Sequence, residues 1–159
     1  LSNTITRAGV AVVLAAALSA CAAAAQSPAP QVPDQKIVGD LLVAWKNALA
    51  SGSAEKVADL YAPDAVLLPF NTNDIRTGRP DVVDYYERFL LNYPVASVEQ
   101  QRVDIPDTHT ATDTGVLSFV LHQEGKEPVV RARYTVMYAK AGDKWLIINH
   151  HLSQLVTSQ

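Results

Sequence analysis

The chain has 159 residues, with 13 Lys and Arg against 16 Asp and Glu, 48% hydrophobic residues and one cysteine. A single cysteine excludes an intrachain disulfide, and a net charge of −3 with no basic stripe excludes the electrostatic footprint of a nucleic-acid binder. Once the N-terminal region is set aside, about 125 residues remain, enough for one hydrophobic core and too few for two.

The first element is an export signal. Leu1 to Arg7 carries one cation and no acid, Ala8 to Ala20 is apolar or small throughout, and small residues continue to Ala25. This is the charged, apolar and small-residue order of a secretory signal. As a buried helix the segment would have no polar face; as a membrane span its run of about 13 apolar residues falls short of the ~20 that cross a bilayer. Two cleavage points compete. Leu18-Ser19-Ala20-Cys21 resembles a lipobox, in which Cys21 becomes the lipidated first residue and a membrane tether; Ala23-Ala24-Ala25 before Gln26 fits ordinary secretion. Residues 1–25 are thus read as the signal, 26–34 as a Pro-rich linker, and 35–157 as the domain. The expected location is outside the cytoplasm: periplasmic, membrane-anchored or secreted.

Asp34 is placed to cap a helix running to about Ser51, along which Ile37, Val38, Leu41, Leu42, Trp45, Ala48 and Leu49 keep a 3.6-residue period. Gly52 ends it, and Ser53 caps a second helix over Ala54 to Tyr61, stopped by Pro63. Asp64 to Pro69 reads as a strand, Phe70 to Gly78 as a polar loop, and Pro80 opens a third helix with Val82, Val83, Tyr86, Phe89 and Leu90 on one face. Four strand-like runs follow near 96–105, 111–122, 129–140 and 145–155, with Gly125-Lys126 and Gly142-Asp143 at two connections. Helices segregated before a meander predict an α+β fold, three N-terminal helices packed on one face of a curved, mainly antiparallel sheet.

Several strings carry a resemblance. They are Trp45-Lys46-Asn47-Ala48-Leu49 with Gly52; Val57 to Tyr61 with Asp64 to Pro69; Gly78 before Tyr85-Tyr86 and Phe89-Leu90; Arg133-Tyr134-Thr135; and Trp145-Leu146-Ile147 with His150-His151-x-Ser153. In this order they resemble the NTF2-like cone, and within it the bacterial relatives of the calcium/calmodulin-dependent kinase II association domain, near the DUF4440/SgcJ-like and SnoaL-like groups. The resemblance implies a dimerising cone with a pocket at its mouth, a small-molecule ligand and a second copy as partners, and no kinase activity. The eukaryotic domain carries His-x-His-Arg-Ser near its end; here the run is Asn149-His150-His151-Leu152-Ser153, without that arginine. No Gly-x-Gly-x-x-Gly follows a strand, and no cofactor is expected.

The candidate chemistry sits on the last two strands. Alternation places Arg131, Arg133, Thr135 and Met137 on one face, and Val130, Ala132, Tyr134, Val136 and Tyr138 on the other. Arg133, with Arg131, has the guanidinium geometry to grip a carboxylate or phosphate; a solvated or dimer-facing pair is the plain alternative. Adjacent His150 and His151 point to opposite faces and cannot share a metal, so no metal site is expected. If Lys140 pairs with Lys144, Arg133 opposes His151; if Ala141 pairs with Lys144, Tyr134 does. His151 is expected in the pocket, with His150 and Tyr134 as further ligand contacts. For acid–base chemistry the candidates are His151 or Asp64 as base, with Tyr61 or Tyr134 as donor. Asp64 has a turn role as its alternative, and Asp113 one in the loop Asp107 to Thr110. Three functions are open: a cone binding a small polar or anionic molecule, a cofactor-independent isomerase, dehydratase or hydrolase, and an oligomerisation module whose cone is filled by side chains.

Overall fold

The computed structural model describes residues 33–155. The predicted export signal, Cys21 and the predicted linker up to 32 lie outside the described residues, as do 156–159. Helix α1 (Gln35–Ala50) starts where the Asp34 carboxylate accepts the Lys36 N–H at 3.0 Å, satisfying one of the free donors of a helix start. It buries Val38, Leu42, Trp45 and Leu49, the i, i+4, i+7, i+11 stripe of a helix lying on a core.

Helix α2 (Ala54–Ala58) is shorter than predicted, and Tyr61 begins strand β1 (Tyr61–Leu68) instead of closing the helix. The competing force is parallel pairing: the Ile147 N–H donates to the Leu60 carbonyl at 2.8 Å, and Tyr61 lies opposite Ile147. Pro63 does not stop a helix. It sits inside β1, where the register shifts between Tyr61 and Val66, a place where a missing N–H breaks no ladder bond. A two-residue strand β2 (Arg76–Thr77) pairs back on Val66 and Leu67 within the predicted loop. Helix α3 (Gly78–Phe89) starts two residues early and runs into a 3-10 turn at Leu90–Asn92.

Strands β3 (Val95–Asp104), β4 (Thr110–Val120), β5 (Val129–Ala141) and β6 (Lys144–Gln154) fall within about two residues of the sequence reading. The sheet order is β2-β1-β6-β5-β4-β3, antiparallel except for β1 on β6. Besides the shift in β1, two irregularities bend it. One falls in β3 between Val98 and Gln100, beside Gly115, where a Cβ would stand 1.9 Å from the Gln100 carbonyl oxygen; no side chain fits there. The other falls where Met137 pairs with Asn149 but Tyr138 with Ile147, leaving Ile148 as the extra residue.

All three helices pack on one face. The core joins Trp45, Val57, Val82, Tyr86 and Phe89 to Leu67, Leu117, Phe119, Val136 and Ile147. Each fully buried aliphatic chain contributes about 1.5–3 kcal/mol.

Candidate functional site

Alternation along β4, β5 and β6 sends Asp113, Tyr134, Tyr138 and His150 inward, under the helices. Pairing aligns Asp113, Val136 and His150 in one row across three strands, and Ala111, Tyr138 and Ile147 in the next. Two polar networks result. In the first, the Trp45 indole N–H donates to Tyr86 Oη at 3.1 Å, Tyr86 Oη lies 2.7 Å from Tyr61 Oη, and Tyr61 Oη lies 2.7 Å from His150 Nδ1. The Trp45 ring also stands edge-on to the His150 ring at 5.1 Å. In the second, Asp113 accepts from Tyr134 Oη at 2.9 Å and from Gln101 Nε2 at 2.7 Å, one bond on each carboxylate oxygen.

Electrostatics follow burial. Removal from water pushes the His150 imidazole down to about 3, with the neighbouring His151 a smaller cause, so His150 is neutral at any ordinary pH. Burial, then Tyr86, holds the Tyr61 hydroxyl well above its usual range. Burial likewise raises the Asp113 carboxyl against the two hydrogen bonds that favour its charge. Among the described residues three side-chain atoms are buried without a partner: His150 Nε2 and Tyr138 Oη here, and Arg76 Nε away from this interior.

The predicted site residues divide. Tyr61, Tyr134 and His150 are inside; His151, Asp64, Arg131 and Arg133 are not. The expectation that His151 faces the cone is corrected. Ala141 does pair with Lys144, but the extra residue Ile148 moves the far half of the hairpin by one, so Thr135 opposes His151 and Val136 opposes His150. His151 is therefore on the outer, exposed face. Arg133 lies there too, between Val116 and Ser153, and is exposed. Arg131 turns both Nε and Nη2 to Glu99, with Nε 3.0 Å from Oε2. Asp64 is exposed on the irregular part of β1. A cationic grip on an anion inside the cone is thus not assembled, and neither candidate base, His151 or Asp64, lies in the interior. Asp113 is buried in β4 and is not part of the 107–110 loop. The signal that finds it is the period-two row Ala111, Asp113, Gly115, Leu117, Phe119; Tyr138 follows from the same alternation on β5. Trp45 and Tyr86, read as core, turn out to be core with a hydrogen-bonding tip.

A wide concavity lies elsewhere: an external groove of about 1040 Å³ between the end of α1, α2, the 3-10 turn and β3, lined in part by Leu49, Ala54, Leu91, Tyr93 and Val95. None of the interior polar residues lines it, so its size does not mark it as the chemical site. Among the described residues no group of three His, Cys, Asp or Glu gathers to hold a metal.

The sequence from 34 to 155 matches the family model of the calcium/calmodulin-dependent protein kinase II association domain. The chain belongs to that family. A solved association-domain structure from Xanthomonas campestris is similar to it at 44% identity and TM-score 0.75, covering 77% of this chain and 89% of that one. More distant structures share the fold of the association domain: a candidate dehydratase of the NTF2-like family from Streptomyces avermitilis, at 18% identity and TM-score 0.69 over 77% of this chain and 96% of that one, and an NTF2-like protein with a cystatin-like fold from Novosphingobium aromaticivorans, at 14% and 0.66 over 79% and 84%. The α+β cone predicted from the sequence is therefore an NTF2-like fold. No curated protein matches this chain.

Proposed function

We propose that this association domain works by joining copies of itself through the uncovered face of its sheet, outside the cytoplasm. The observation that carries this reading is the contrast between that face and the packed interior. All three helices cover the inner face. On the outer one, pairing sets Thr112 beside Met137, Thr114 beside Thr135 and Val116 beside Arg133. Thr112, Thr114, Val116 and Thr135 are only half-exposed and Met137 is 40% exposed. The row Val95, Val120, Val129 adds a second apolar area at one end, beyond Ser118 and the Arg131–Glu99 pair. A sheet face meant for water carries mainly charged and polar chains; a β-branched and apolar centre rimmed by Arg131, Arg133 and His151 fits an interface core with a polar rim.

The interior supports binding of an anion or acid–base catalysis less well. Its side chains fill it: Trp45, Tyr61, Tyr86, Phe119, Tyr138 and His150 are each at most 5% exposed. Asp113 spends both oxygens on neighbours, and His150 spends Nδ1 on Tyr61. The signal over 1–25 supports export, with anchorage through Cys21 or release after Ala25; among the described residues no helix is long and apolar enough to cross a membrane. Light scattering on the purified domain tests the reading. A dimer or larger assembly is expected, and Val116→Lys is expected to dissociate it while the circular dichroism spectrum stays unchanged. A wild-type monomer at tens of micromolar would overturn it.

A further inference from the structure

Away from the packed interior, a cavity of about 240 Å³ lies between the loop after β1 and the later part of α3. Two arginines and a carboxylate, Arg76, Arg88 and Asp74, share its lining. Asp84, one turn before Arg88 on α3, holds both guanidiniums. Its Oδ2 accepts from Arg76 Nη1 at 2.9 Å and its Oδ1 from Arg88 Nη2 at 2.7 Å. Two cations against one shared carboxylate leave one positive charge over.

Neither guanidinium is exhausted by this contact. Among the described residues each makes that single hydrogen bond, out of the several N–H donors it carries. The shortfall matters most at Arg76, whose side chain is only 17% exposed and whose Nε is buried without a partner. A mostly buried cation with unmet donors calls for an acceptor. Asp74 does not supply it: its Oδ2 stays 3.7 Å from Arg76 Nη2, beyond hydrogen-bond reach, and accepts instead from the Thr72 hydroxyl at 3.3 Å. Opposite charges thus line one cavity without closing on each other. Tyr85 and Phe89, which also line it, stack at 5.7 Å and 11° and give it an apolar side.

We propose that this cavity binds a small zwitterion, an α-amino acid with a short apolar side chain, its carboxylate on Arg76 and Arg88 and its ammonium on Asp74. Charge balance selects it. With Asp84 committed, the cavity presents one surplus positive charge on the arginines and one negative charge on Asp74. The complementary ligand is neutral overall and carries both signs. A plain carboxylate would sit beside Asp74, and a plain amine beside the arginines, each against a like charge. The guanidinium fork suits a carboxylate. Size sets the rest: the cavity equals the liquid share of about eight waters, room for a molecule of about six to eight heavy atoms. The site is separate from self-association through the outer face and does not depend on it.

NMR titration of the nitrogen-15-labelled protein at fixed ionic strength tests this, with L-alanine, propionate and ethylamine as probes. The last two are alanine without its amine and without its carboxylate. The Arg76 and Arg88 Nε–H resonances are expected to move saturably with alanine, and to need about tenfold more propionate or ethylamine, the loss of one charge-assisted contact. Asp74→Asn is expected to weaken alanine about fivefold and to tighten propionate about twofold, because the same carboxylate attracts the ammonium and repels a bare anion. Damage to the fold would weaken both, so the opposite signs separate binding from structure. Arg88→Gln, at a side chain 72% exposed, is expected to weaken alanine and propionate alike, about fivefold, with an unchanged circular dichroism spectrum. No saturable response to alanine would overturn the proposal, as would alanine binding untouched by Arg88→Gln. Propionate binding as tightly as alanine, or Asp74→Asn shifting both probes in one direction, would overturn the assignment to a zwitterion.

Discussion

The two histidines of β6 are neighbours in sequence and opposites in everything else. His150 is fully buried, locked to Tyr61 and neutral; His151 is exposed beside Thr135 on the uncovered face. The same division separates Tyr134 from Arg133, one pinned to a buried carboxylate and the other in water. Residue type does not set the difference; the parity of the pairing register does, and one extra residue at Ile148 reverses it. Polar groups on the inner face have to be satisfied by one another, while those on the outer face are free to meet solvent or a second copy.

The contrast predicts a graded set of outcomes. The largest is at the hub of the inner face. Trp45→Ala removes a ring buried against Phe119 and His150 together with the donor that starts the hydrogen-bond chain, and is expected to cost about 3–5 kcal/mol in urea unfolding.

Next is pH. An unfolded histidine takes its proton near pH 6.5, His150 in the fold only near pH 3. Between those values the unfolded chain binds more protons, so stability that is fully present above about pH 6.5 is lost as pH falls, with a limiting slope of about 1.4 kcal/mol per pH unit. Urea midpoints measured from pH 7 to pH 4 should follow that fall, and His150→Phe should flatten it. A flat wild-type profile would mean that His150 gains its proton as easily in the fold as out of it.

Smaller again is Tyr61→Phe, which leaves His150 Nδ1 without a partner and the Tyr86 hydroxyl with only its Trp45 bond, and is expected to cost about 1–3 kcal/mol. If it costs nothing, the chain from Trp45 to His150 is not a structural unit. Smallest are Arg133→Ala and His151→Ala on the outer face, expected within about 0.5 kcal/mol of wild type at concentrations where the protein is monomeric. A large loss in either would place those side chains in contacts that the fold of one chain does not make.

Much of the fold was legible in the sequence because its signals are local. The stripe from Val38 to Leu49, the caps at Asp34 and Ser53, and the alternation through β4, β5 and β6 each depend on residues within a few positions of one another. The places where the reading failed are those where a distant partner decides. Tyr61 leaves its predicted helix because β6, 86 residues later at Ile147, offers a parallel edge. Asp113 reads as part of a loop until the period-two row on β4 puts it under α1.

The sequence by itself determined that this is one α+β association domain, which alternating residues of β5 share a face, and that the paired histidines point apart. Only the tertiary structure decided which of the pair is inside. That choice rests on a single bulged residue in a hairpin, and a bulge is set by the energy of closing the curved sheet on its helices; no local motif in the chain specifies it.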